Sequence, residues 1–431
     1  MNRYKYYFAL ALCTAIVACT TLTNSTTQTS QLERSRSASS FIDSIGVVVH
    51  FNYRDTVYYS DYDSVIVPRL KQLGIRHLRS NFALKDTETQ QKFNDLAELG
   101  IKSTLVMNPL KVSPREGVEI AKTVPNSIEA IEGPNEWDIR PNFEYQGLYF
   151  PEGTRQYQGD LYTAIKADPA TASLTVLSPS LAKAKYSDEL GKVSCDRATI
   201  HSYPGSTNIP SHGLDNKWIP SARIICPGKG IIATETGYHN AVNKSTISGV
   251  SPEASAKYLP RIFLEYFNRG ILRTYNYELI DLKPNPARDR PNWNYGLLNN
   301  DGSPKPAFNS LKNLISLLKE PEGNTNSLEL QALDYQAIGI TSQIHHTLLQ
   351  KNDGRFYLIF WQEVSSYKNE IDLEVAPQSV KLVLNTPIER ANIYQPLNSV
   401  NAIASYRNPK RLNILVPDHP LVIELKPKSN V

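Results

Sequence analysis

Short apolar, β-rich runs alternate with helical patterns over most of the chain, and this alternation constrains the fold more than any other feature. Eight such runs occur before residue 320, at residues 45–51, 75–79, 103–107, 128–132, 174–178, 198–201, 230–234 and 273–278. Helical patterns at residues 62–73, 87–99, 252–268 and 304–318 lie between or after them. Strands that alternate with helices are typical of parallel βαβ units, so the sequence predicts a parallel α/β fold.

Polar residues stand at or just after the ends of several runs. Asn108, Asn135 with Glu136, His201 and Glu235 are the clearest cases. In an eight-stranded barrel the active site is built at the carboxyl ends of the strands. An open doubly wound sheet would carry a glycine-rich phosphate loop after its first strand, and none follows residues 45–51. Residues 41–320 are therefore predicted to form a (β/α)8 TIM barrel.

The sequence after residue 320 has a different pattern. Short β-branched and aromatic runs at residues 344–349, 356–363, 380–384, 412–416 and 421–425 are separated by Pro, Asn, Asp and Gly. Short strands with such turn residues between them are typical of all-β domains. Residues 321–431 are therefore predicted to form a small antiparallel β-sandwich.

The N-terminus has the pattern of an export signal. Two basic residues precede an apolar run that ends in small residues. The sequence Ile16-Val17-Ala18-Cys19 resembles the lipobox of bacterial lipoproteins, whose cysteine is acylated. Residues 1–19 are predicted to be a signal with Cys19 as the lipidation site; ordinary cleavage and a retained anchor are the alternatives. The Ser/Thr-rich residues 20–40 are predicted to be a flexible tether. The expected location is the cell envelope or the extracellular space.

The composition is that of an ordinary soluble globular protein. Apolar residues make up 41% and charged residues 20% of the chain, and the formal net charge is +4. Most of that positive charge lies before residue 41, so the two predicted domains are nearly neutral. A nucleic-acid partner is therefore not expected. The sequence specifies no oligomeric state.

Cys195 and Cys226 are the cysteines that follow the predicted signal. Each precedes the core of its strand, the sixth or the seventh, by about five residues, so both thiols should meet at the amino-terminal face of the barrel. An exported protein permits a disulfide between them, and two unrelated buried cysteines are the alternative. No metal or cofactor is expected, because His345-His346 lacks the further ligands of a metal site.

Two glutamates end the fourth and the seventh predicted strands. Glu136 follows the sequence Gly133-Pro134-Asn135, and Glu235 follows residues 231–234. In a barrel these strand ends face each other across the mouth, so the two carboxyl groups should converge. Two converging carboxyl groups can divide a glycosidic cleavage, with one protonating the leaving oxygen while the other attacks the sugar. The pair therefore predicts a glycoside hydrolase.

These motifs resemble glycoside hydrolase clan A, whose acid/base follows the fourth strand in an Asn-Glu pair and whose nucleophile ends the seventh. The Gly-Pro-Asn-Glu sequence and the appended β-domain are most similar to family 39. The resemblance covers residues 45–318 and implies a retaining β-glycosidase with an oligo- or polysaccharide substrate. It implies that Glu136 is the acid/base, that Glu235 is the nucleophile, and that Asn135 holds the sugar 2-hydroxyl.

Three further strand ends take roles from the same resemblance. His201-Ser202-Tyr203 is similar to the His-x-Tyr of the clan, which implies that Tyr203 hydrogen-bonds Glu235 and that His201 lines the sugar subsite. Arg79 ends the second strand, where clan members often carry an arginine that steadies the nucleophile. His50, at the end of the first strand, is predicted to touch the sugar. Ordinary buried or surface positions are the alternatives for all of these residues.

The chain departs from the clan at the eighth strand, where a tryptophan usually forms the platform under the sugar. The sequence there is Thr274-Tyr275-Asn276-Tyr277-Glu278. Tyr277, or Trp293 from the following loop, is predicted to stack on the sugar instead, because sugar C–H faces pack well on electron-rich rings. Glu278 either meets an amino or polyhydroxyl group of the substrate or pairs with a neighbouring base.

The expected chemistry is double displacement through a covalent glycosyl-enzyme. The two catalytic carboxyl groups should lie about 5 to 5.5 Å apart. Glu235 is expected to be ionised and Glu136 to keep its proton in the free enzyme. A transglycosylase of the cell envelope and a carbohydrate-binding protein on an inactive barrel are the alternatives.

Overall fold

The computed structural model describes residues 29–205, 208–243, 249–320 and 329–428. The predicted signal with Cys19 lies outside the described residues, and so do residues 20–28 of the predicted tether. Within the described part of the chain, no helix is long and apolar enough to cross a membrane.

Residues 29–40 do not form the flexible tether that their composition predicts. Strands β1 (Thr29–Arg34) and β2 (Arg36–Ser37) join two different sheets of the C-terminal domain, and helix α1 (Ala38–Asp43) follows. An edge strand such as β1 is held by backbone hydrogen bonds, so its polar composition does not prevent pairing. The Glu33 carboxylate also fastens β1, because it accepts hydrogen bonds from the Tyr335 hydroxyl at 2.5 Å and from His346 Nε2 at 3.0 Å.

Eight parallel strands form the predicted TIM barrel, which is confirmed, and each predicted run lies on one of them. The strands are β3 (Ile45–Val48), β4 (His77–Ser80), β5 (Lys102–Val106), β6 (Ile128–Glu132), β7 (Thr175–Leu177), β8 (Ala198–His201), β9 (Ile231–Thr236) and β10 (Arg273–Asn276). Neighbours in the chain are neighbours in the sheet, and β10 returns to pair with β3. Between β7 and β8, Ser178 N–H donates to the Arg197 carbonyl at 3.0 Å, which closes the ring.

Helices pack around the outside of the barrel. The helices after α1 are α2 (Val57–Ser60), α3 (Val67–Leu73), α4 (Thr87–Glu98), α5 (Pro114–Thr123), α6 (Glu152–Ala167), α7 (Ser187–Leu190), α8 (Ile219–Ile225), α9 (Pro252–Asn268) and α10 (Pro306–Leu318). Single π-helical turns, Tyr62–Ile66 and Leu214–Trp218, lead into α3 and α8. Short 3-10 turns occur at Trp137–Ile139, Ala184–Tyr186 and Pro291–Trp293. Local sequence sets the helix starts: Ser113 and Glu116 form a capping box on α5, and Ser251 caps α9.

The C-terminal domain is the predicted antiparallel β-sandwich. Its strands are β11 (Ala332–Ile338), β12 (Ile344–Gln350), β13 (Phe356–Gln362), β14 (Tyr367–Lys368), β15 (Ile371–Asp372), β16 (Gln378–Leu384), β17 (Ile388–Tyr394), β18 (Ala402–Arg407), β19 (Arg411–Val416) and β20 (Leu421–Pro427). One sheet has the order β18-β17-β20-β13-β12-β2, the other β1-β11-β16-β19, and β14 pairs with β15 in a separate hairpin. The apolar runs in the sequence mark five of these strands. The sequence of β18 has no such run, because its residues are mostly exposed.

The six-stranded sheet packs directly on the barrel. Trp361 of β13 and Val422 of β20 belong to the same apolar core as the barrel helices. Arg261 of α9 is fully buried and donates to Glu363 Oε2 at 2.7 and 2.8 Å. Glu363 Oε1 accepts from Ser211 N–H at 2.9 Å, in the loop that follows β8. The C-terminal domain therefore braces one of the loops at the mouth of the barrel.

A disulfide joins Cys195 and Cys226, whose Cα atoms lie 6.2 Å apart. Cys195 precedes β8, and Cys226 is the C-cap of α8. Because β8 and β9 are neighbours in the barrel, the bridge ties adjacent βα units together at the amino-terminal face.

Replacing both cysteines by alanine should lower the free energy of unfolding by about 3 to 4 kcal/mol, because the unfolded chain regains the freedom of a loop of this length. Chemical denaturation of the wild type and the double variant measures the difference. Dithiothreitol should destabilise the wild type by a similar amount and leave the double variant unchanged. A wild type that is equally stable with and without the reductant would contradict the bridge.

Candidate active site

The carboxyl ends of the barrel strands surround a cavity of about 600 Å³, a volume typical of small-molecule sites. Most of the predicted site residues line it, namely His50, Arg79, Asn135, Glu136, Tyr203, Glu235 and Tyr277. His201 and Trp293 do not line it. The wall also contains residues without a predicted role, among them Tyr53, Asn81, Trp137, Arg140, Asn292 and Tyr295.

Glu136 and Glu235 converge in this cavity. Glu136 follows β6 and Glu235 lies within β9. One carboxylate oxygen of each lies within 4.8 Å of the other. Glu136 adopts a left-handed backbone with φ 53° and ψ 42°, a conformation that costs a non-glycine residue roughly 1 to 3 kcal/mol. Its N–H donates to the Ser180 carbonyl at 2.9 Å, which helps to hold the turn that presents the side chain.

Both oxygens of Glu235 accept a hydrogen bond from a buried side chain. Arg79 Nη1 donates to Oε1 at 2.6 Å, and the Tyr203 hydroxyl donates to Oε2 at 2.6 Å. Burial and the charge of Glu235 raise the pKa of Tyr203 well above its usual value, so the phenol remains a donor. The carboxylate is therefore held in one orientation by the two residues that the resemblance implied.

The Arg79 guanidinium is the centre of a wider network. It is 3% exposed and forms a bidentate pair with Glu132, with Nε 2.6 Å from Oε2 and Nη2 2.9 Å from Oε1. Nη2 also donates to Asn135 Oδ1 at 2.7 Å. Burial raises the pKa of Glu132, but the charges of Arg79 and His201 outweigh burial and hold that pKa at about 2. Glu132 is therefore a buried, ionised partner that keeps Arg79 in place.

Sequence reasoning missed the role of Glu132, although the sequence carried a signal for it. Ala130 lies in the apolar cluster inside the barrel, whereas Ile131 belongs to the core between the barrel and its helices. Successive side chains on a strand alternate between the two faces, so Glu132 points inward with Ala130. A charged residue at an inward position of an apolar strand indicates a buried ion pair.

His201 does not line a sugar subsite, contrary to the prediction. It is 1% exposed, and its Nδ1 lies 2.8 Å from Glu136 Oε1. Burial alone lowers the pKa of His201, but Glu235 above all, with Glu132 and Glu136, raises it to about 10. His201 is therefore a buried imidazolium that donates to Glu136. The strand end that carries His201 therefore lies behind Glu136 and outside the cavity wall.

The surroundings of Glu136 act against the expectation that it keeps its proton in the free enzyme. Burial raises the pKa of Glu136, but the hydrogen bond and charge of His201 outweigh burial and lower it. Arg79 and Arg140 add to the lowering. The directions of the two pKa shifts favour a pair in which His201 Nδ1 donates to Glu136 Oε1.

Tyrosines form the aromatic side of the cavity. The Tyr277 ring lies 5.3 Å from Tyr295 and 6.5 Å from Tyr203, between ring centroids. Trp293 was the predicted alternative platform, but it lies outside the cavity wall beneath the Arg290 guanidinium, which is 5.0 Å from its ring. Tyr295, two residues further along the same loop, takes the place in the wall that was expected for Trp293. Loop residues in an aromatic-rich segment cannot be ranked by sequence alone, because no strand period fixes which of them face inward.

His50 lines the cavity, but neither of its ring nitrogens reaches solvent or a hydrogen-bond partner. Tyr53 stacks on the imidazole with 4.4 Å between ring centroids. Burial, with a smaller effect of Arg79, lowers the pKa of His50 to about 3, so the ring is neutral. The ring nitrogens are therefore not available to the cavity as hydrogen-bonding groups.

Glu278 takes the second of its two predicted roles, because it lies beside a neighbouring base, His50. It is fully buried and does not line the cavity, so it cannot meet a substrate group directly. Its Oε2 accepts a hydrogen bond from the Tyr58 hydroxyl at 3.1 Å and lies 3.4 Å from His50 Nε2. Burial raises the pKa of Glu278 well above its usual value, so it contacts His50 as one neutral group beside another.

The donor atoms of Glu136, His201 and Glu235 lie within 4.8 Å of one another, a spacing that could hold a cation. These atoms already bind each other or Arg79 and Tyr203, and the Arg79 charge opposes a cation. The arrangement is a hydrogen-bonded acid/base network and not a metal-ligand set.

Solved structures with the same architecture are glycoside hydrolases. A family 39 glycoside hydrolase from the gut symbiont Bacteroides cellulosilyticus WH2 is similar with a TM-score of 0.57 at 16% identity, covering 90% of this chain and 82% of its own. A glucosidase from Croceicoccus marinus is similar with a TM-score of 0.56 at 10% identity, covering 86% and 94%. No protein-family model and no curated protein sequence matches the chain. The chain therefore shares the fold of this family 39 hydrolase, a TIM barrel with an appended β-sandwich.

Proposed function

We propose that this protein is a retaining β-glycosidase that cleaves an oligo- or polysaccharide. The observation that carries the proposal is the pair of Glu136 and Glu235, with carboxylate oxygens within 4.8 Å of each other. Retaining enzymes hold their two carboxyl groups about 5 to 5.5 Å apart, whereas inverting enzymes leave about 6.5 to 9.5 Å for a water molecule. The short spacing favours direct attack by one carboxylate.

Glu235 takes the part of the nucleophile, because Arg79 and Tyr203 fix its carboxylate from both sides. In the first step Glu235 attacks the anomeric carbon, and the leaving oxygen departs with a proton from Glu136. In the second step the Glu136 carboxylate takes a proton from water, the water oxygen attacks the anomeric carbon, and Glu235 is released.

The proton for the first step is supplied by His201 through Glu136. Against burial, the charge of Glu235 is the strongest influence that raises the pKa of His201. That charge disappears when Glu235 becomes an ester, so His201 holds its proton less tightly as the leaving oxygen needs one. Nucleophilic attack by Glu235 therefore promotes proton transfer from His201 to Glu136. The two atoms that exchange the proton, His201 Nδ1 and Glu136 Oε1, lie 2.8 Å apart.

The sugar is held by Asn135 and by the tyrosine wall. Asn135 Oδ1 is occupied by Arg79, which leaves its Nδ2 to donate to the 2-hydroxyl. The rings of Tyr277 and Tyr295 offer apolar faces for the sugar C–H groups.

We also propose that the protein is exported and held at the cell envelope through lipidated Cys19. The sequence of residues 16–19 supports this, and so does the disulfide, which forms in oxidising compartments. Because β1 begins at Thr29, residues 20–28 would separate the lipid from the first strand, a span of about 30 Å when fully extended.

Glu235→Gly should reduce turnover of aryl β-glycosides by on the order of 10⁵-fold, because the nucleophile and its charge are lost together. Arg79 keeps Glu132 as its partner, so the variant should still fold, which thermal unfolding checks. Proton NMR of the first product of the wild type should show the β-anomer. An initially inverted product, or full activity of the variant, would contradict the assignment.

Glycan binding without any turnover by the wild type would favour the carbohydrate-binding alternative, and product formation only with an acceptor sugar would favour the transglycosylase.

Glu136→Ala should spare substrates with good leaving groups, because these depart without protonation. Azide should restore its turnover by attacking the glycosyl-enzyme in place of activated water, with a β-glycosyl azide as product. Kinetics with 2,4-dinitrophenyl and alkyl glycosides, with and without azide, measure this. Equal losses on both leaving groups and no azide product would assign Glu136 another role.

Cys19→Ala should release the protein from the membrane fraction, because a soluble domain with no acyl chains has nothing to hold it there. Fractionation of cells that express the full chain measures the shift, and Cys13→Ala, at another cysteine of the predicted signal, serves as the matched control. A wild type that is already soluble would rule out the anchor.

A further inference from the structure

Arg140 stands in the cavity wall close to the acid/base and has no partner among the described residues. It follows the 3-10 turn that comes directly after Glu136. Its side chain is exposed and lines the cavity, and no hydrogen bond or ion pair links it to another described residue. The other cavity-lining cation, Arg79, is fully engaged by carboxylates and an amide.

The acidic groups near Arg140 hydrogen-bond to other residues. Asp138, two residues away on the same turn, accepts the backbone N–H groups of Ala182 and Lys183 at 2.9 Å each. Glu136 accepts from His201, and Glu235 accepts from Arg79 and Tyr203. None of these carboxylates forms a hydrogen bond or ion pair with the guanidinium, which therefore faces the cavity without a bound counter-ion from the described residues.

An unpaired cation at this place opposes the chemistry of its neighbour. Glu136 must carry a proton when the leaving oxygen departs, and a nearby positive charge favours the ionised form instead. Burial raises the pKa of Glu136, while His201, Arg79 and Arg140 lower it. An anion bound to Arg140 would cancel the last of these effects as the substrate binds.

The leaving-group side of the cavity also offers a surface for a ring. Glu136 delivers its proton to the leaving oxygen, so groups beside Glu136 face the leaving part of the substrate. Trp137 and Phe143 line the cavity from the same segment as Arg140, with their ring centroids 5.7 Å apart. Lys183, whose backbone is fastened to the same turn by Asp138, adds a second exposed cation on the neighbouring loop.

We propose that Arg140 binds a carboxylate or sulfate group carried by the leaving part of the substrate, so that the natural substrate is an acidic glycan. The planar guanidinium matches either oxyanion in a bidentate pair. The proposal rests on the proposed glycosidase function and adds the charge class of its substrate. Arg140 then selects the substrate by its charge. It also helps Glu136 to carry its proton, because the bound anion removes the positive charge that favours the ionised form of Glu136.

The test compares three aryl β-glycosides of the sugar that the wild type accepts, with 4-nitrophenyl, 3-carboxy-4-nitrophenyl and 3-sulfo-4-nitrophenyl leaving groups. In the wild type, kcat/KM should favour an anionic leaving group over the neutral one, and Arg140→Gln should reduce this ratio by about tenfold. Arg140→Lys should keep part of the preference, since the charge remains. Arg407→Gln, which removes an exposed arginine from β18, is the control with the same change of net charge and should keep the wild-type ratio.

The outcomes separate the two proposals. No turnover of any of the glycosides by the wild type would overturn the proposed function itself. Turnover with the same anionic-to-neutral ratio in the wild type and in Arg140→Gln would overturn the role of Arg140 alone. A preference for only one of the two anions identifies the group as a carboxylate or as a sulfate, and a ratio lost equally in Arg407→Gln would reduce the effect to net charge.

Discussion

The Arg79 guanidinium is buried at the centre of the candidate site, where an uncompensated charge would be strongly disfavoured. Its N–H groups are shared among Glu132, Asn135 and Glu235, at distances between 2.6 and 2.9 Å. These partners come from β6, the turn that follows it and β9, while Arg79 itself comes from β4. One cation therefore sets the relative positions of the groups that would hold the sugar and attack it.

Acidic and basic side chains pair through the network around Arg79, and Arg79 Nη2 also lies 3.4 Å from His201 Nε2. The carboxylate of Glu132 faces Arg79, Arg79 faces Glu235, and the His201 imidazolium lies between Glu235 and Glu136. Breaking one such pair in a buried network leaves its partner without compensation, so the members depend on each other. Such a network is weak evidence for stability, because well-packed apolar residues of similar volume can stabilise a core equally well.

The barrel and its two glutamates follow from the sequence because both rest on short-range patterns. The strand period and the polar residues at strand ends identify β6 and β9 without knowledge of any contact. Glu132, His201 and Trp293 were misjudged for a different reason. Whether a side chain points into a cavity, behind its wall or away from it depends on register and loop geometry, which the period of a single strand or loop does not fix. The prediction of a tether failed for a similar reason. The polar residues of β1 are ordered by pairing with β11, a strand some 300 positions away in the sequence. Ser35 and Gln331, which are hydrogen-bonded, are likewise separated by 296 residues.

The position of β1 and β2 makes the β-sandwich a discontinuous domain. Its first two strands precede the barrel and the remaining strands follow it, so the barrel is an insertion within the sandwich. A cut near residue 320 would not yield two complete modules, because the barrel fragment would keep strands that belong to the other fragment. Neither sheet can be completed until almost the whole chain has been made. The pairing of β1 with β11 and of β2 with β12 joins strands that precede the barrel to strands that follow it. The chain is therefore expected to reach its final fold as one unit, after synthesis of the barrel and not alongside it.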